Sequence, residues 1–203
     1  MIAYASRYAD KLLAATREHL EIVVITLLIS LAVAAVLTVA GSCSGKQARV
    51  MVNLFSMIYS VPSLALLALL IPITGLGRKT AIVALVIYNQ YLLLRNFLAG
   101  LDGVDRGVVE AATGMGMTHL QLLWKVQLPL AKKALIAGLR IALVSTVGIA
   151  TIAASINAGG LGTILFDGLR TMNTAKILWG SLLSAVLAVG IDRLLILIEK
   201  KMA

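Results

Sequence analysis

Few residues in this chain have the type and spacing to do covalent chemistry. Its two histidines, His19 and His119, are far apart, and no Cys/His cluster has zinc-ligand spacing, so no metal role is expected. The lone Cys43 has no intramolecular disulfide partner. No Gly-x-x-x-x-Gly-Lys-Ser/Thr phosphate loop occurs, so ATP hydrolysis is not expected of this chain, and we expect it not to be an enzyme. No paired carboxylates fall inside an apolar run, as proton- or sodium-coupled carriers often have. What remains is polar chemistry of the recognising kind. Asn89 and Gln90 lie inside an apolar segment, where an amide without a partner is costly. They either line a polar pathway or bond across a helix interface. Ser145, Thr146, Thr151 and Ser155 recur at about helical spacing, as one pore face or as hydroxyls bonded back to their own helix. Asn157, Gly159, Gly160 and Gly162 form either a flexible gate beside a pathway or a plain turn.

The elements that must hold these residues are membrane spans. The chain has 203 residues, of which 60% are apolar and 13% charged, with mean hydropathy +0.98. A soluble domain of this size has about half apolar and a quarter charged residues. That excess disfavours a soluble enzyme, a disordered regulator and a secreted disulfide scaffold, and favours a multi-span membrane protein. The net charge of +9 is then a topology and lipid-headgroup signal rather than a nucleic-acid footprint, so no nucleic acid is expected as a partner.

Charge-poor windows predict five transmembrane helices, over residues 22–40, about 52–71, 81–99, 134–154 and 177–198. Pro62 kinks or breaks the second. Residues 1–21 are expected as an extracytoplasmic segment, 22–198 as one transmembrane domain and 199–203 as a cytoplasmic tail. Eleven basic residues fall at one set of span ends and seven at the other, which orients the chain with its N-terminus outside and residues 100–130 inside. Arg95 and Arg140 are read as snorkelling side chains near inner span ends.

Residues 100–130 are too polar to span and predict two short helices. Asp105 caps the first, which runs to about Thr113. Gly114 and Gly116 break it. Thr118 and Gln121 have the capping-box spacing that opens the second, over 119–126. Pro129 disfavours helix at Leu128 and suits the first turn of the next helix.

Within this loop Glu110-Ala111-Ala112, then Gly116, then nine residues, then Val126-Gln127-Leu128-Pro129 resembles the EAA motif of binding-protein-dependent ABC importer permeases. One position differs, Val126 replacing Ile. Arg95-Asn96, the whole run 110–129 and Ala158-Gly159-Gly160-Leu161-Gly162 look like the osmoprotectant branch, whose members carry glycine betaine, carnitine or choline. The likeness extends over about residues 20–198. It implies an all-α polytopic fold like that of methionine-importer permeases, in the bacterial cytoplasmic membrane. It also implies two ATPase subunits that bind the ATP, a second permease copy or paralogue, and an external solute-binding protein. No cofactor is expected on this chain. The resemblance assigns ATPase coupling to Glu110, Ala111, Ala112, Gly116, Leu128 and Pro129. Aromatics are only 5%, too few to promise a multi-ring cage for a quaternary amine, which in this family belongs to the binding protein. A self-sufficient carrier or channel, a permease for another small polar solute, and a membrane anchor are the rival readings.

Overall fold

The computed structural model of the protein describes residues 2–201, and every element among them is helical. A short α1 (Ile2–Arg7) leads into α2 (Ala9–Ser42), which is 34 residues long. This helix starts well before the expected span at residue 22. Leu12, Ala15, His19, Ile22, Val23 and Thr26 make one buried stripe at helical spacing, and charges on the other faces do not interrupt it. Residues 9–21 therefore belong to the first long helix rather than to a separate segment.

The second expected span is two helices, α3 (Gly45–Tyr59) and α4 (Ser63–Thr74), bent by 94° at Ser60–Pro62. Pro62 has no N–H to donate and cannot continue a helix interior. The Tyr88 hydroxyl donates to the Val61 carbonyl at 2.5 Å, which satisfies a group exposed by the break.

A third long helix, α5 (Arg78–Asp102), runs through the centre of the subunit. It packs closely on α8 (Leu128–Ala153). A Cβ at Gly138 would come within 2.5 Å of the Asn96 side chain, so the crossing depends on a small residue there. Buried Leu85, Tyr88, Leu143, Val147 and Ala150 fill the core between these two helices and α2.

Helices α6 (Arg106–Gly114) and α7 (His119–Leu122) form the loop between α5 and α8. The second loop helix does not end at 126 as expected. The chain passes from α7 through a π-helical turn, Leu123–Gln127, directly into α8. Pro129 lies in the first turn of α8, and the wide turn before it lets the helical path run on without a break at Leu128.

After a single 3₁₀ turn, Ala154–Ile156, the chain forms α9 (Leu161–Arg170), a helix that the span windows did not predict. Its apolar residues Leu161, Ile164, Leu165 and Leu169 recur at helical spacing. The last helix, α10 (Thr174–Lys201), begins earlier than expected and carries the helix into the expected tail. Among the described residues, four helices are long and apolar enough to cross a membrane, and five spans result if the bent α3–α4 pair is one of them.

Candidate functional site

The loop between α5 and α8 is a compact knob held by local polar bonds. The Asp105 carboxylate accepts from the Val108 amide at 3.2 Å and caps α6. The Thr118 hydroxyl accepts from the Gln121 amide at 3.3 Å, and the Thr118 amide donates to Gln121 Oε1 at 2.9 Å. Both caps are those that the sequence spacing predicts. Between the two helices Gly116 has φ +81°, the left-handed region that a side chain disfavours. A Cβ there would meet nothing within 4 Å, so backbone conformation rather than space requires glycine.

The six coupling candidates do not share one face. Glu110, Ala111, Gly116 and Pro129 are exposed, and Leu128 is half-buried. Ala112 is only 2% exposed and packs inside the subunit. The expectation that Ala111 and Ala112 both offer contact to a partner is therefore corrected. Ala111 and Ala112 are consecutive, about 100° apart around α6, so turning the first outward turns the second into the subunit. Glu110 lines an open cavity of about 220 Å³ with Asp102, Arg106 and Gln127.

The knob is also tied to the first long helix. Nε2 of His119 lies 2.8 Å from the Ser42 carbonyl, and its Nδ1 lies 3.9 Å from Cys43 Sγ. Nothing in the local sequence signals this pairing. No group of three or more His, Cys, Asp or Glu suited to a metal ion occurs among the described residues.

The pathway candidates separate into buried and surface groups. Asn89 Nδ2 donates to Thr146 Oγ1 at 2.9 Å and to Ser30 Oγ at 3.2 Å, linking α5 to α8 and α2. Gln90 Nε2 donates to the Val86 carbonyl at 3.0 Å and to the Ser30 carbonyl at 3.3 Å. Both amides are buried inside the subunit, and the Gln90 Oε1 has no hydrogen-bond partner among the described residues. Thr151 Oγ1 donates to the Val147 carbonyl of its own helix at 3.1 Å. Ser145 is half-buried and lines an open cavity of about 670 Å³ with Arg140, Val144 and Asp192.

The segment 157–162 packs closely against α2 and α8. Asn157 has φ +63°, and Gly159 and Gly160 have φ +90° and +80°. The Gly160 amide donates to Glu18 Oε2 at 3.0 Å, and a Cβ on Gly160 would lie 2.9 Å from the His19 ring. Gly162 lies so close to α8 that a Cβ would fall 1.9 Å from the Thr151 carbonyl oxygen. These glycines let the segment pack on α2 and α8 at distances that a side chain would block. Nε2 of His19 lies 3.2 Å from the Val147 carbonyl, tying the same part of α2 to α8.

Two ion-pair groups were missed from sequence. Arg140 does not snorkel. It pairs with Asp192 at 3.0 Å and Glu199 at 3.1 Å, joining α8 to α10. The spacing of Asp192 and Glu199 by seven residues, two helical turns, is the signal that both face one partner. On the α9–α10 turn, Lys176 Nζ lies 2.7 Å from Asp167 Oδ2, and Arg170 lies 3.2 Å from Oδ1. Hydrogen bonds from Lys176 and then Arg170 hold the Asp167 carboxyl below its ordinary range.

Comparison with known proteins agrees with this architecture. Residues 37–203 match the family described as binding-protein-dependent transport system inner membrane component. The choline transport system permease protein OpuBB of Bacillus subtilis (strain 168) is 35% identical over 202 residues, covering 100% of this chain and 93% of that protein. The carnitine transport permease protein OpuCB of Listeria monocytogenes is 35% identical over 192 residues, covering 95% of this chain and 88% of that protein. In fold, the chain is similar to a solved inward-facing MetNI methionine ABC transporter chain, with a TM-score of 0.90 and 23% identity over 97% of this chain and 98% of that one. The relatives are transport permeases and not enzymes. Membership implies ATPase and binding-protein partners and an inner-membrane location. The match spans four-fifths of the sequence and includes the whole loop knob: the chain belongs to the inner-membrane components of binding-protein-dependent ABC transport systems.

Proposed function

We propose that the chain is the permease subunit of an ATP-driven importer for a quaternary-amine compatible solute such as glycine betaine, carnitine or choline. The observation that carries this reading is the capped α6–α7 knob, which is mounted on α5 and α8 and tied to α2 through His119. A transport ATPase needs a rigid handle on the membrane domain, and a pair of short helices with satisfied ends is one. Exposed Glu110 and Ala111 are the groups that such a partner meets first. Relatives that align along nearly the whole chain are choline, carnitine and glycine betaine permeases, which supports the solute class.

The buried Asn89 amide is bonded at both its nitrogen and its oxygen within one subunit, so the solute route runs between this chain and a second permease rather than through it. ATP binds to the partner ATPases, whose closure is relayed through the knob to the helix bundle. An external binding protein delivers the solute. The N-terminus lies outside and the knob in the cytoplasm. A self-sufficient carrier has no support from the family.

The test is uptake of radiolabelled glycine betaine, carnitine and choline into proteoliposomes holding the permease, its ATPase and its binding protein. ATP-dependent accumulation of at least one supports the reading, and accumulation without the ATPase overturns it. Single cysteines at Ala111, Thr118 and Lys46, on a Cys43→Ser background, then report docking. The two knob positions crosslink to the ATPase in this reading. Efficient crosslinking from Lys46 alone sinks the docking assignment.

A further inference from the structure

The α3–α4 break holds a feature that the coupling role does not use. Tyr59, the last residue of α3, is half-buried beside the break. Its ring meets Tyr88 edge-on, with centroids 5.6 Å apart and planes at 90°, and lies 4.9 Å from the ring of Tyr91. Tyr88 and Tyr91 are one turn apart on α5. Tyr59 and Tyr88 line an open cavity of about 290 Å³ with Ser60, Val61, Pro62, Ser63 and Ile149. No charged side chain lines it. Tyr88 is the eleventh residue of the 25-residue α5. At 1.5 Å per residue it lies about 15 Å from the helix start, near the middle of a hydrocarbon core of about 30 Å.

Three rings gathered in a chain with only 5% aromatics are a local concentration at one depth. The electron-rich face of an aromatic ring attracts a cation, most strongly where water is excluded. At the outer end of the cluster the exposed Arg95 guanidinium lies 5.8 Å from the Tyr91 ring centroid and donates to the Tyr91 hydroxyl at 2.9 Å. A quaternary ammonium has no N–H and needs no hydrogen-bond acceptor, so ring faces and small apolar walls suit it. Lacking a fixed carboxylate, the cavity would hold such a cation weakly and release it readily, as a transport step requires.

We propose that the cavity at the α3–α4 break is a mid-membrane resting site for the quaternary ammonium group of the solute, with the Tyr59 ring, supported by Tyr88, as its contact. This deepens the transport reading above and rests on its solute class. Tyr59 is then a selectivity residue of the permease itself, separate from the binding protein.

The experiment uses the assembled transporter in proteoliposomes, with radiolabelled choline and glycine betaine as probes. Position 59 carries Tyr, Phe, Leu, or phenylalanines with one, two and three ring fluorines, which drain the ring face of charge without changing its shape. Tyr59→Phe should stay within about twofold of the parent, and Tyr59→Leu should lose about three- to thirtyfold in uptake at limiting solute. Uptake should fall steadily with each fluorine while ATP hydrolysis in the assembled complex stays unchanged. A flat fluorine series, or Leu equal to Phe, overturns the proposal. If Tyr59→Leu fails to assemble, the isosteric fluorine series decides alone. If the parent protein takes up neither probe and carnitine, tried in their place, is not taken up either, the solute class itself has failed and this site falls with it, before any variant is compared; if carnitine alone is taken up, it becomes the probe for the variants.

Discussion

The His119 imidazole and the Ser42 carbonyl lie 2.8 Å apart although 77 positions separate them in sequence. The first residue of α7 is thus bonded to the last residue of α2. His119→Ala should loosen the knob from α2 without disturbing insertion. Removing one such bond costs about 0.5–1.5 kcal/mol, so uptake per ATP hydrolysed should drop by about two- to tenfold. His119→Gln, which keeps an N–H donor, should recover part of it. Unchanged coupling in well-expressed His119→Ala would show that the bond carries no force between the two helices.

Gly116→Leu should leave the permease inserted and transport uncoupled. The position is open, so crowding is not the cause. A branched side chain at φ +81° costs about 1–3 kcal/mol and re-aims α7 against α6. Gly116→Asn, whose side chain tolerates the left-handed region, should be milder. Equal uptake by the Leu and Asn variants would refute the backbone argument.

Asn89→Leu should lower stability and leave solute affinity alone. The change strands Thr146 and Ser30, bonded partners of the amide, within the helix bundle. Bonds of this kind inside membranes contribute about 0.6 kcal/mol on average and up to about 1.7. Thermal unfolding in detergent measures the loss, and uptake kinetics measure the rest. A changed KM with unchanged stability would restore Asn89 to the pathway.

Asp167 gives a pH prediction whose sign follows from its partners. Lys176 and Arg170 depress its pKa below the ordinary 3.8. Its contribution is therefore fully present above the ordinary carboxylate range and is lost as pH falls through the lower, folded value. Thiol labelling at Met172→Cys, on a Cys43→Ser background, should be flat from about pH 8 to about pH 5 apart from the reactivity of the thiol itself. Asp167→Asn should raise labelling across that whole range. A parent protein that opens between about pH 6 and 5, where the depressed carboxylate stays ionised, would contradict the assignment.

The parts of this fold written in neighbouring residues were legible in sequence. Asp105 and the Thr118–Gln121 pair cap helices through bonds that span three positions, and both formed as their spacing predicts. Pro62 announced a break, since a missing N–H is a local property, but the 94° angle depends on Tyr88, far along the chain. Helix α9 was hidden because a charge-free window does not mark where one apolar helix stops and another begins, although Leu161, Ile164 and Leu165 carried the period. The glycines at 159–162 were visible as glycines. Their purpose was not, because Glu18 and His19 press on them from about 140 positions away. Among the candidate site residues, Ala112 looks in sequence like its exposed neighbour Ala111, and the buried Asn89 looks like any amide that lines a pathway. Which way each turns depends on the packing of whole helices.

One consequence is mechanical. Helix α2 is pinned near one end where Glu18 holds the Gly160 amide, and at the other where Ser42 meets His119. The 24 residue steps from Glu18 to Ser42 lie in one continuous helix, a distance of about 36 Å at 1.5 Å per residue. A helix resists axial compression, so it acts as a connecting rod between two bearings. The His119 bond and the Gly160 bond are thus the two ends of one stiff link, and any displacement of one end has a direct mechanical path to the other.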